Sequence, residues 1–98
     1  MRRIEIVEVS LNSGGKLLVV AKLPAESGYR FIYRNASGVR WLPAERALTP
    51  ADMGTSSPQF WFTKIVDAVQ DEYGDELVVT DATKWTNIPE SLRLVARA

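Results

Sequence analysis

The chain has 98 residues, 46% of them apolar and 24% charged, and twelve Lys and Arg are balanced by twelve Asp and Glu. A length of this order holds one domain with a single core, and a net charge of zero supplies no global field that would draw the molecule to nucleic acid or to a membrane surface. Neither cysteine nor histidine is present, which excludes disulfides and thiolate chemistry and removes the commonest general base and the commonest metal ligand.

The opening MRRIEIVEVS has arginines but no apolar run behind them, so it is not read as a signal peptide. No stretch approaches the ~20 apolar residues of a membrane span. A cytoplasmic protein without membrane association is the default expectation, and no cofactor is expected.

Residues 3–11 and 16–23 read as two strands joined by Asn12-Ser13-Gly14-Gly15, a turn in which Gly15 takes the left-handed position. This register sets Leu11 opposite Leu17, Val9 opposite Val19 and Val7 opposite Ala21. The apolar phase slips between Ile6 and Val7, the mark of a bulge or of burial on both faces. A second hairpin is expected from 29–35 and 39–43 around Asn35-Ala36-Ser37-Gly38, with Ile32 facing Leu42, Tyr33 facing Trp41 and Arg34 facing Arg40. Tyr29, Phe31, Tyr33, Val39 and Trp41 would then form one aromatic face turned toward the helix. Thr49-Pro50-Ala51-Asp52 looks like the start of a helical turn.

Residues 57–74 are the only long helical pattern. Ser57 is a good N-cap, Pro58 suits the first helical position, and Gly74 suits the left-handed exit. Trp61, Phe62, Ile65, Val66, Ala68, Val69 and Tyr73 fall within roughly 160° of arc at 100° per residue. Phe60 lies off that face, either packed under the preceding loop or exposed as an anchor for a partner. Residues 76–80 read as a strand and 81–87 as loop or irregular strand with Trp85. Pro89 and Glu90 suit a short helical turn, and 91–98 alternates like a closing strand whose place in the sheet stays open. The order ββββ-α-ββ is that of an α+β domain over 1–98: an antiparallel meander of about four to six strands with one helix, about 58–73, on one face.

The face of the sheet away from the helix is expected to carry Ile6, Leu18, Val20, Ile32 and Leu42, fringed by Glu8, Lys22, Arg30, Arg34 and Arg40. That is more apolar than a solvated face. A cover by the C-terminal segment, a two-fold dimer interface and a ligand surface each account for it. A like-charge pair of Arg34 and Arg40 needs an offsetting carboxylate, or a bound phosphate or nucleic-acid backbone. Arg93 and Arg97 would extend that patch.

Weaker patterns are set aside. Gly14-Gly15-Lys16 lacks the phosphate-loop frame, with Leu17 where Ser or Thr belongs. Asn35-Ala36-Ser37 is a glycosylation sequon in a chain with no sign of secretion. Asp67 and Asp71 lie one turn apart on an exposed helix face, not in a cleft. Asp71, Glu72, Asp75 and Glu76 crowd the helix C-terminus, where the macrodipole disfavours acids and a basic partner or a hard cation would relieve them, although the spacing matches no calcium loop.

The expected function is therefore that of a non-catalytic binding module, self-associating as a dimer through Leu18, Val20, Ile32 and Leu42, with Phe60 as a further interface residue. One alternative is binding of nucleic acid or a phosphorylated ligand through Arg30, Arg34 and Arg40. Another is a small-molecule pocket between helix and sheet at Tyr33, Trp41 and Trp61. In size and lack of motifs the chain resembles the small orphan proteins of bacterial accessory DNA, integron gene cassettes among them; no particular residues carry that resemblance.

Overall fold

Strand β1 (Arg2–Leu11) and strand β2 (Leu17–Ala21) form the first hairpin. Asn12 closes it: its Oδ1 accepts from the Gly14 and Lys16 amides at 2.9 and 3.0 Å, and Gly15 is left-handed at φ 78°. The computed structural model describes residues 2–23, 28–34, 38–90 and 92. Beyond β2 come a 3-10 turn (Ile32–Arg34), β3 (Val39–Leu42), β4 (Ala47–Pro50), α1 (Pro58–Tyr73), β5 (Asp75–Val78) and β6 (Lys84–Thr86). The strands make one six-stranded mixed sheet in the order β3-β4-β2-β1-β5, with β6 also paired to β1. With the single long helix this is the expected α+β class, in the expected order ββββ-α-ββ.

The expected bulge is present. Ile6 pairs with Ala21 and Glu8 with Val20, so Val7 is the extra residue. Val7 is 37% exposed, whereas Ile6 and Val9 are both fully buried. The bulge thus turns Ile6 to the helix side and moves the partner of Ala21 from Val7 to Ile6. It also opens room on the other edge of β1. There β5 pairs in parallel with Arg2–Glu5, and β6 pairs in parallel with Glu8–Ser10. The connection between them bends away at the bulge: Thr83 donates to the Ile6 carbonyl at 2.6 Å and accepts from the Thr80 amide at 3.0 Å.

The second hairpin differs from the expectation. Strand β3 pairs with β4, not with 29–34, in the register Trp41↔Leu48 and Leu42↔Ala47; residues 35–37 of the expected turn lie outside the described residues. Its turn, 43–46, has no glycine; Arg46 takes the left-handed position at φ 53° and donates to the Leu23 carbonyl at 2.9 Å. Thr49 and Pro50 are therefore strand, not a helix start. Strand β2 borders β4 rather than β3, so the two hairpins follow the order 1-2-4-3. Leu92, expected in a closing strand, has helical backbone, and its amide donates to the Pro89 carbonyl at 3.0 Å. Residues 91 and 93–98, with Arg93 and Arg97, lie outside the described residues.

Helix α1 has the expected ends. Ser57 Oγ accepts from the Phe60 amide at 3.2 Å. Gly74 exits at φ 70° and donates to the Gln70 carbonyl at 2.9 Å. Its buried residues, Trp61, Phe62, Ile65, Ala68 and Val69, join one core with Ile4, Ile6, Val9, Leu17, Val19, Leu48 and Leu77. Burial of side chains of this size stabilises by ~1.5–3 kcal/mol each. Two glycines are fixed by close approach: a Cβ on Gly28 would stand 2.9 Å from Trp41 Nε1, and one on Gly38 would stand 2.9 Å from the Trp61 ring. No helix of the described residues is long and apolar enough to cross a membrane.

Candidate functional site

Residues 29–34 form two successive turns in place of a strand. The Ile32 amide donates to the Tyr29 carbonyl and the Arg34 amide to the Phe31 carbonyl, both at 3.0 Å. Three residues per turn set Tyr29 and Ile32 inward and leave Arg30, Phe31, Tyr33 and Arg34 exposed. Phe31 is 40% and Tyr33 53% exposed, their ring centroids 6.4 Å apart. The Arg34 guanidinium lies over the Phe31 ring at 4.3 Å. Among the described residues neither Arg30 nor Arg34 pairs with a carboxylate.

The inward residues anchor this loop. Tyr29 packs against Trp41 edge to face at 5.5 Å and against Tyr73 at 4.9 Å. Its hydroxyl donates to Asp75 at 3.0 Å. Asp75 is only 4% exposed and also accepts from Arg2 Nε at 3.2 Å and Arg2 Nη2 at 2.8 Å. Burial alone would raise the Asp75 pKa; the hydrogen bonds from Arg2 and Tyr29 and the charge of Arg2 outweigh it, and the carboxylate is held below its ordinary value. Burial, then the bond to the Asp75 anion, pushes the Tyr29 phenol well above its ordinary pKa. On the outer side Tyr73 accepts from the Phe31 amide at 2.9 Å. A cavity of about 360 Å³ opens here, lined by Arg2, Leu23, Gly28, Tyr29, Arg30, Phe31 and Tyr73.

The structure brings together some of the residues nominated from sequence and separates others. Arg30 and Arg34 share the loop, and Tyr33 joins them. Arg40 does not: it lies on β3 opposite Thr49, so no Arg34–Arg40 cross-strand pair exists. The aromatic face is divided, Tyr29 and Val39 entering the core while Phe31 and Tyr33 reach solvent. Phe31 was missed as a site residue because the aromatics at 29, 31 and 33 alternate like a strand. The signal for the true conformation is the inward pair Tyr29 and Ile32, three apart.

Ile32 is fully buried in the core and stands beside no strand partner, so it offers nothing to a second molecule. Leu18, Val20 and Leu42 are half-buried. Val20 and Leu42 both pair with Ala47, which sets them on one face of the sheet. Val19 and Leu48, the residues beside them in register, belong to the core under α1, so this row faces away from the helix. Phe60 is 49% exposed on α1, set edge-on to Trp61 at 5.4 Å, and borders a concavity of about 720 Å³ with Gln59, Thr63, Lys64 and Asp67. It therefore cannot share a surface with the far-face row.

Tyr33, Trp41 and Trp61 line neither of these two cavities. Trp61 is buried, and its indole donates to the Met53 carbonyl at 3.0 Å. The acidic cluster after α1 is partly neutralised from within: Asp75 pairs with Arg2 at 2.8 Å and Glu76 with Arg3 at 3.1 Å. Among the described residues no three acidic side chains converge in a way that would hold a metal ion.

No family model and no curated protein matches the chain. Among solved structures the chain is similar to an integron cassette protein from the mobile metagenome of the North West Arm sewage outfall, at 27% identity over 99% of this chain and 94% of that one, with a TM-score of 0.47.

Proposed function

We propose that the chain is a non-catalytic module that binds single-stranded nucleic acid on the loop 30–34. Phe31 and Tyr33 would stack bases, and Arg30 and Arg34 would meet phosphates. The observation that carries this reading is the pairing of two exposed rings, 6.4 Å apart, with a guanidinium 4.3 Å over one of them. Stacking of a base on an aromatic ring contributes about 1–3 kcal/mol and tolerates any sequence, because every base has a π-face. The arginines supply the local positive field that the net charge does not. Two phosphate contacts give a salt slope of about −1.4 on single strands.

The test is fluorescence anisotropy with a short labelled oligonucleotide over a range of salt. Binding that weakens with that slope, and that is lost when Phe31→Ala and Arg34→Ala are combined, is the expected result. No binding at low salt would end the reading.

A second reading rests on a different observation. Val20 and Leu42 flank Ala47 across three neighbouring strands on the face away from α1, with Leu18 one step along β2. Such an apolar row suits a self-complementary two-fold contact. It would make the molecule a dimer without Ile32 and without Phe60. Light scattering at tens of micromolar separates the cases: a dimer that Leu42→Asp dissociates supports this contact, and a monomer removes it.

A further inference from the structure

We infer that the cavity beside the loop receives the terminal phosphate monoester of the bound strand, an inference that rests on the nucleic-acid reading above. At about 360 Å³ the cavity is near the lower end of ligand sites, roughly 300–1,000 Å³. Arg2 and Arg30 approach it from two elements, and Phe31 belongs both to the cavity and to the stacking platform. A base stacked on Phe31 would lie at the border of a cavity that both arginines also line.

The two arginines differ in what they supply. Arg2 is fixed by its two hydrogen bonds to Asp75, at 3.2 and 2.8 Å, and Asp75 is fixed in turn by Tyr29 at 3.0 Å. Asp75 offsets the charge of Arg2, but among the described residues only two of its N–H groups are used. The rest of the planar fork stays available as donors of set direction. Arg30, which pairs with no carboxylate among the described residues, brings the unbalanced charge. The Tyr73 hydroxyl accepts from the Phe31 amide at 2.9 Å, and its proton remains to be donated. A terminal monoester carries about −1.5 to −2 charge and three acceptor oxygens, which this set of donors matches better than a bridging diester of single charge. Buried Tyr29 and the Gly28 backbone, over which Trp41 is packed, line the inner part. Such a recess suits a strand end more than a strand running through.

The experiment compares labelled ten-nucleotide oligothymidylates ending in a 5′-phosphate, a 3′-phosphate or hydroxyls only, with thymidine monophosphate and thymidine as unlabelled competitors. One end-phosphorylated strand is expected to bind about tenfold tighter than the hydroxyl form, the effect of one added charge-assisted contact. Thymidine monophosphate is expected to compete where thymidine does not, an arm that needs no variant. Tyr73→Phe, which keeps the ring but removes both the donor and the tie to the Phe31 amide, should weaken the end-phosphorylated strand more than the hydroxyl-ended one and so narrow the preference. Equal affinity for all three strands would overturn the inference and leave the stacking platform standing. Binding of none of them would remove the platform reading and this inference together. Competition by thymidine monophosphate alone, with no strand preference, would assign the cavity to free nucleotides and refute the strand end.

Discussion

Tyr29→Phe isolates one hydroxyl at the centre of the molecule. The ring stays, and with it the contacts to Trp41 at 5.5 Å and Tyr73 at 4.9 Å. What is lost is the bond of 3.0 Å to Asp75, whose carboxylate is buried and among the described residues keeps only Arg2 as a side-chain donor. A hydrogen bond to a charged acceptor contributes about 1.5–3 kcal/mol. A domain of this size shifts by about 4–8 °C in Tm per kcal/mol, so the expected fall is roughly 6–24 °C. The acid limb of stability should change as well. Asp75 titrates lower in the folded chain than its ordinary 3.8. As pH falls the unfolded chain takes up this proton first, so the cluster's contribution is complete above 3.8 and is lost as pH drops through the folded value. Without the tyrosine donor the folded value rises toward 3.8, and less remains to be lost in acid. Urea unfolding from neutral pH down to acid measures both effects. A Tyr29→Phe protein within about 2 °C of the parent, or with an acid limb parallel to the parent's, would refute the account of this cluster.

Ile32→Asp is expected to abolish folding, because it places an unpaired carboxylate at a fully buried site; a folded far-ultraviolet circular dichroism spectrum would contradict the core placement. Gly28→Ala drives a Cβ to 2.9 Å from Trp41 Nε1 and should cost about 1–3 kcal/mol as overpacking, with a change in tryptophan fluorescence that an unstrained site would not show. The bulge predicts an asymmetry between neighbours: Val7→Ser should stay within about 0.5 kcal/mol, whereas Ile6→Ser, at a buried position, should be strongly destabilising. Equal costs in chemical denaturation would mean that Val7 is not the extra residue.

The parts of the fold that local chemistry dictates were legible in the residues. Ser57, Pro58 and Gly74 each act within one turn of where they stand, so the helix bounds follow from sequence. Asn12 and Gly15 do the same for the first hairpin, and the slip from Ile6 to Val7 records the bulge directly. The pairing of β3 with β4 was hidden because its turn uses Arg46 in a conformation that a glycine or asparagine would have advertised. Thr49-Pro50 imitates a helix start, and nothing local says that Pro50 ends a strand. The parallel placement of β5 and β6 along β1 depends on contacts more than seventy positions apart, such as Ile4 with Leu77 and Val9 with Trp85. In the candidate site the arginines at 30 and 34 were legible as neighbours on one exposed surface. Their companionship with Phe31, and their distance from Arg40, were not, because both follow from a turn where alternation mimics a strand.

The same turn explains how an exposed aromatic loop can be an ordered one. A chain that binds through a mobile loop loses conformational freedom on binding, at about 0.5–1.5 kcal/mol for each side chain fixed. Here that ordering is already made by folding. Tyr29 is held by Asp75 and two rings, Ile32 is sunk in the core, and the backbone between them is tied by Tyr73 to the Phe31 amide. Two residues of every three face out only because the third faces in. It follows that the Tyr29–Asp75 bond should matter to binding without touching the ligand. In Tyr29→Phe protein kept well below its melting temperature, affinity for a hydroxyl-ended oligonucleotide should fall while the salt slope stays the same, since its phosphates would meet Arg30 and Arg34 rather than Arg2 and only the order of the loop is reduced. A slope that falls with the affinity would mean that Tyr29 positions the arginines themselves rather than the rings.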